Sequence, residues 1–544
     1  MWAKNGVVSG NIVDVLNSEI YPGKLKIADG KIADIQRESR KQETYIIPGF
    51  VDSHVHIESS MLPPSEFARV AVVHGTVAVV SDPHEIANVL GMEGVNYMIE
   101  NAKSVPVKFF FGAPSCVPAS PFETNGAIIG PEEVEELLKM EEIKYLAEVM
   151  NFPAVINGDP DITKKISMAK KYRKPIDGHA PGLTGEDLEK YASAGVSTDH
   201  ECFTLKEARE KIRVGMKVMI REGSAARNFD ELMPLLKNHG ESCMFCSDDK
   251  HPDELIKGHI NNLVKRSLDH GIALMKVLKV ACINPVLHYG LDVGLLRQGD
   301  DADFLVVDNL DNLHLLKTYI NGEIWAEEGR SLITKKPAKI VNNFNVSKGE
   351  LRDFTLPHKR GNIAVIEAIA GQLITNKLVV PPKIVEGNVV SDPERDILKI
   401  VVVNRYQEAK VAIGFVKNFG LKRGAMAASV AHDSHNIIAT GVTDEDICRA
   451  VNLIIENKGG LSSVSKDTEM FLPLPIAGLM SNEDYSTVAE KYALMESTVA
   501  FGSTLHAPFM TLSFMALPVI PRIKLTDRGL FDGEFGFMDI FEEG

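Results

Sequence analysis

The chain has 544 residues, 44% of them hydrophobic and 24% charged, with a formal net charge of −15. That balance is globular and long enough for more than one core, and it argues against a nucleic-acid or anionic-membrane surface, which needs clustered Lys and Arg. Six cysteines in a chain this long make no disulfide framework, no run approaches the roughly 18 apolar residues of a membrane span, and the start, MWAKNGVVSGNIVDV, lacks a signal layout, so a cytoplasmic location is expected.

Residues 7–46 alternate short apolar runs with turns (NIVDVL, GKLKIADG, KIADI) and read as β-strands, with Gly30 in a DG turn. From residue 46 short apolar runs alternate with amphipathic segments. The runs are Ile46–His54, VAVVSD (77–82), VKFFFG (107–112), YLAEVM (145–150), PIDGHA (175–180), GVSTDH (195–200), MKVMIRE (216–222) and CMFCSDD (243–249). Helical stretches such as Glu132–Met140, Ile162–Lys171, Leu205–Val214 and Asp253–Asp269 separate them. This is the arithmetic of a (β/α)8, TIM-like barrel, whose sites lie at strand C-termini. Cys243 and Cys246, a lone CxxC, read as core residues. The β-texture returns at Asp303–Asp308 and Thr318–Glu323, as if both flanks build one small β-domain. Beyond about residue 340 the order of strands and helices changes, with a helical Glu445–Asn457. The expected α/β architecture is thus a β-sandwich from 1–46 and 286–337, a barrel over 47–285, and an α/β or α+β domain over 338–544.

The ends of the barrel runs carry the chemistry. The first ends in His54-Val-His56, and residues i and i+2 of a strand face the same side. The second ends in Asp82-Pro-His84-Glu85, the fourth carries Glu148, the fifth and sixth end in His179 and His200, and the eighth ends in Asp248-Asp249. Each has a plain structural reading alone: a helix cap, a buried histidine, an N-cap. Together they place imidazoles and carboxylates on one rim, a donor set for two divalent ions with room for water.

These residues resemble the amidohydrolase superfamily: an HxH after strand one, single histidines after strands five and six, an aspartate after strand eight. PGFVDSHVHIESSMLPP, SDPHEIANVLG, LAEVMNFPAVI, DGHAPGLTG, REGSAARN, CSDDKHP, AHDSHNIIATG, LPLPIAGLMS and LPVIPRIKLTDRGLFDGE resemble its adenine deaminases over nearly the whole chain. The resemblance implies hydrolysis of adenine to hypoxanthine and ammonia at a binuclear centre holding two Mn2+ or Fe2+ ions per subunit. It implies a small purine substrate, no nucleic-acid or membrane partner, and is compatible with a homo-oligomer.

The chemistry needs a hydroxide near neutral pH, which water on a divalent ion supplies, and a carboxyl group that moves protons to a ring nitrogen and the leaving amine. His54, His56, Glu85, His179, His200 and Asp248 are the expected metal ligands. Many amidohydrolases bridge their metals with a lysine on strand four; here Lys144 lies near that strand, but Glu148 holds its end. Glu148, beside Leu146, Val149, Met150 and Phe152, is expected to have a raised pKa and to be the proton donor. Glu85, among polar neighbours, is expected to bridge the metals, and Asp248 to bind one metal and take the proton from water. An exchange of Glu85 and Glu148 stays open. Arg221 and Ser224, after strand seven, are candidate purine contacts; a salt-bridged loop with Asn228 as N-cap is the equal alternative. His432 and His435 in AHDSHN either cover the barrel mouth or stabilise a turn. A cyclic-amide hydrolase and a non-catalytic metal-binding scaffold are the rival readings.

Overall fold

The computed structural model describes residues 5–499, 502–503 and 505–542. The apolar run that opens the barrel is two strands, not the expected one. Tyr45–Pro48 belongs to the β-domain, and Phe50–Val55 begins the barrel. The break falls at Gly49, where a Cβ would lie 2.4 Å from Val77 Cγ2. Only glycine lets the chain pass so close to the next barrel strand.

The parallel strands that follow are Phe50–Val55, Thr76–Ser81, Lys108–Ala113, Ile143–Val149, Ile176–Gly178, Thr198–Asp199, Lys217–Arg221 and Cys243–Cys246. The first five and the last three form two hydrogen-bonded runs. At one seam Ser197 N donates to Ile176 O at 2.8 Å. At the other, Val55 pairs in parallel with Asp248, and Asp248 N donates to His54 O at 3.0 Å. Strands such as Thr76–Ser81 are buried along their whole length, which is why they read as unbroken apolar runs. The fifth and sixth strands are shorter than their sequence runs, because pairing stops where the chain turns out to the rim.

Helices cover the outside. Leu205–Arg213 starts at Thr204, whose hydroxyl accepts from Glu207 N at 3.2 Å, and carries Lys211 and Arg213 in its last turn, where cations suit the helix dipole. The expected helix Asp253–Asp269 is two, Pro252–Leu255 and Ile260–Asp269. The flanks share one continuous eight-stranded sheet, in which Tyr45–Pro48 lies between Gly6–Asp14 and Phe304–Val307.

The C-terminal region builds a second large sheet, with Ile397–Val403 and Ile437–Gly441 adjacent and antiparallel. Helix Asp444–Asn457 buries Ile447, Val451 and Ile454 against it, one face at helical spacing. This region is seated on the barrel. Ser481 N donates to Met61 O at 2.8 Å, Arg69 pairs with Asp484 at 2.6 Å, and Thr124 N donates to Asp527 Oδ1 at 2.9 Å. One hydrophobic core runs from Val55 and Leu146 in the barrel to Ile400 and Val488 beyond it. No helix among the described residues is long and apolar enough to cross a membrane.

Candidate metal centre

Asp52, buried in the first barrel strand, ties that strand to the eighth. Its carboxylate accepts from His54 N at 3.2 Å, from Ser247 N at 3.1 Å and from His259 Nε2 at 2.7 Å. This fixes the chain just before two groups that must meet. The Nε2 atoms of His54 and His56 are 3.2 Å apart, and Asp248 Oδ1 lies 3.6 and 3.3 Å from them. His56 is oriented through its other nitrogen, 3.1 Å from Asp82 O, the outer support that ligating imidazoles require.

Glu148 stands among five imidazoles. Its Oε2 is 2.9 Å from His179 Nδ1, 3.1 Å from His200 Nε2 and 4.0 Å from His54 Nε2. Its Oε1 is 3.5 Å from His56 Nε2 and 3.4 Å from His84 Nδ1. The two oxygens therefore address two different sets of nitrogens. Donor groups close enough to share an ion include His54, Glu148 and His200; His54, His56 and Asp248; and His56, Asp82, His84 and Glu148. Buried imidazole and carboxylate donors are the set that Zn2+-, Mn2+- or Fe2+-like ions accept, so these residues fit a divalent metal.

Glu85 lines the cavity over these groups, with His84 Nε2 3.6 Å from its Oε1, but its shortest contacts come from another part of the chain. It lies in the first turn of helix His84–Leu90, and both its oxygens are taken by the C-terminal region. His432 Nδ1 donates to Oε1 at 2.5 Å, and His435 Nε2 donates to Oε2.

Burial alone would push all three carboxyls up. Instead His179 and His200 hold Glu148 well below the usual range, His432 and His435 do so for Glu85, and Arg221, His54 and His56 do so for Asp248. The expected raised pKa of Glu148 is therefore corrected. Leu146 and Val149 belong to the hydrophobic core, and the groups that meet the Glu148 carboxylate come from other strands.

Arg221 is buried, and its guanidinium serves carboxylates. Nη1 donates to Asp248 Oδ2 at 2.6 Å, and Nη1 and Nη2 pair with Glu201. The Ser224 hydroxyl donates to Glu254 Oε2 at 3.0 Å. Asn228 does not cap its helix through its side chain. It accepts from Arg221 N at 2.7 Å and donates to His200 O at 3.0 Å, joining strands six and seven at the rim.

The cavity over these groups is lined below by His56, Glu148, His200 and Asp248, and above by Leu373, Phe514, Leu517, Val519 and Ile520. Neither this apolar roof nor Glu201 is expected from the sequence, and His84, though placed on the rim, is not among the expected donors. The signal for His84 was present, since DPHE was already placed at the end of strand two; nothing local marked the roof.

Residues 45–349 match the model of the amidohydrolase family, and residues 372–535 match that of the adenine deaminase C-terminal domain. An adenine deaminase of Salinibacter ruber is 52% identical over 538 residues, 98% of each chain. One of Sulfurovum sp. is 54% identical over 535 residues, covering 98% of this chain and 99% of that one. One of Borreliella burgdorferi is 49% identical over 542 residues, covering 98% and 99%.

Proposed function

As the chain belongs to the adenine deaminase family of amidohydrolases, we propose that the cluster around Glu148 is where it hydrolyses adenine to hypoxanthine and ammonia. The observation that carries this reading is the two-sided environment of one buried carboxylate. His54, His56 and Asp248 would hold one divalent ion and His179 and His200 a second, and Glu148, whose oxygens reach nitrogens of both groups, would serve both. The roles expected for Glu148 and Glu85 are thereby exchanged. Mn2+ and Fe2+ are the candidate ions; when bound, they supply Lewis-acid activation of water near neutral pH.

The remaining work falls to side chains. Asp248, kept ionised by Arg221, takes a proton from the attacking water. Addition at the amino-bearing carbon breaks ring aromaticity, so a ring nitrogen must gain a proton, and the amine needs another to leave as ammonia. Glu85 lines the cavity; ionised at rest, it takes the second proton of the water and delivers it to the ring nitrogen, while the proton held by Asp248 goes to the departing amine. The apolar roof excludes water and takes the purine face. Arg221 orients Asp248 rather than the purine, and Ser224 is left without a role at the base.

The cyclic-amide reading loses support from Lys144, which lies near the start of its strand, 3.4 Å from Asp292, rather than at the rim. The wider reading keeps a cytoplasmic enzyme acting on a free base, with a barrel to about residue 285 that starts at Phe50 rather than at 47, a β-domain that takes in Tyr45–Pro48 and 286–337, and a C-terminal domain over 338–544. Purified protein stripped by a chelator should lose adenine turnover, read by ultraviolet absorbance, and regain it with Mn2+. Adenosine should be turned over poorly. Full activity with one tightly bound ion, or equal rates on adenosine, overturns the reading.

A further inference from the structure

We propose that His432 and His435 are positioning residues of the active site: a clamp, supplied by the C-terminal domain, that aims the Glu85 carboxylate at the reacting base. This rests on the reading of Glu85 as the proton carrier.

Glu85 is 2% exposed and His435 is fully buried. Each carboxylate oxygen receives one imidazole N–H, from His432 Nδ1 and from His435 Nε2. Two donors on two oxygens remove the rotation that a carboxylate at the end of a Glu side chain otherwise has. The donors are themselves held. The His432 ring stacks on Phe514, with centroids 4.5 Å apart and planes 13° apart. His435 N donates to Ala431 O at 2.6 Å. Tyr406 OH donates to Ser434 O at 2.6 Å, and Asn436 Nδ2 donates to Thr124 O at 2.9 Å on a barrel loop. The clamp is thus anchored to both the C-terminal sheet and the barrel.

An inter-domain tie has no need of this arrangement. Replacing a buried ionic group by apolar residues of similar volume is often neutral or stabilising, and Phe514 and Leu517 already supply apolar surface beside it. A carboxylate at the cavity wall with both oxygens fixed suits a group that must hold near-attack geometry to a substrate.

The test uses the full chain loaded with Mn2+, and variants that keep or remove each donor. A Gln amide can place its nitrogen near imidazole Nε2, and an Asn amide near Nδ1. His435→Gln and His432→Asn should keep kcat within roughly threefold. His435→Ala and His432→Ala should lower kcat by on the order of 10²-fold, the lower end for a disturbed general acid–base, with KM and metal content nearly unchanged. Free imidazole should restore part of the His435→Ala rate. If His435→Ala fails to fold, the His432 pair decides alone. Alanine variants within threefold of the parent, or amide variants as impaired as alanine ones, overturn the clamp. Glu85→Gln separates this failure from failure of the underlying reading: if it retains full kcat, Glu85 is no proton carrier and the inference falls with it; if it loses kcat while the histidine variants do not, only the clamp falls.

Discussion

Arg221 Nη1 donates to Asp248 Oδ2 at 2.6 Å, with both side chains buried at the ends of the seventh and eighth barrel strands. The same guanidinium pairs with Glu201, so one buried cation neutralises two buried carboxylates. Arg221→Met would leave both uncompensated. Breaking one side of a buried ionic group typically costs about 3–5 kcal/mol, and here Asp248 would also lose its orientation. A large fall in the denaturation midpoint is expected, together with a loss of kcat. Arg221→Lys should recover only part of either, because an ammonium cannot pair with two carboxylates in a fixed fork. Unchanged stability in Arg221→Met would contradict this account.

Lys524 predicts a pH dependence of stability. It is fully buried, and its ammonium donates to Leu373 O at 2.8 Å. Burial pulls its pKa down from 10.5 to about 7. Below about pH 7 folded and unfolded chains both carry the proton, and the cost of burying the charge is fully present. Between about 7 and 10.5 the unfolded chain holds a proton that the folded chain has released, so this group's contribution rises with pH, by at most about 1.4 kcal/mol per unit. Urea denaturation of the parent and Lys524→Met across pH 6–10 isolates it. The variant should gain most at the acid end, and the gain should shrink as pH rises. A pH-independent difference would refute this.

Phe514 connects the roof to the clamp. Its ring stacks on His432 and faces the cavity. Phe514→Ala should cost roughly 3–5 kcal/mol of stability, as for other large buried aromatics, and raise KM for adenine. Phe514→Leu should retain more of the packing but still lose the stack. An unaltered KM in both variants would remove the roof from purine binding.

Much of the site is legible locally. His54 and His56 are two residues apart on one strand end, and His179, His200 and Asp248 each close an apolar run, so strand periodicity alone gathers them on one rim. What sequence neighbours cannot reveal is which oxygen meets which nitrogen. Leu146 and Val149 suggest an apolar setting for Glu148, yet the partners of its carboxylate come from strands one, two, five and six. Glu85 looks polar because of Asp82 and His84, but its strongest partners lie about 350 positions away. The start of the barrel misleads for a similar reason, since the break at Gly49 depends on Val77 in the next strand. Local pattern places elements and their ends; long-range packing assigns their roles.

Glu148, rather than Glu85, would join two bound ions. Metal content of purified, Mn2+-reconstituted Glu148→Gln and Glu85→Gln, measured beside adenine turnover, tests this most directly. A carboxamide in place of Glu148 removes the negative charge from between two cations, so at least one ion should be lost. Glu85→Gln should keep two ions per chain while turnover falls by roughly 10²–10⁴-fold. Two ions retained in Glu148→Gln, with an ion lost from Glu85→Gln, would contradict the account and return the bridge to Glu85.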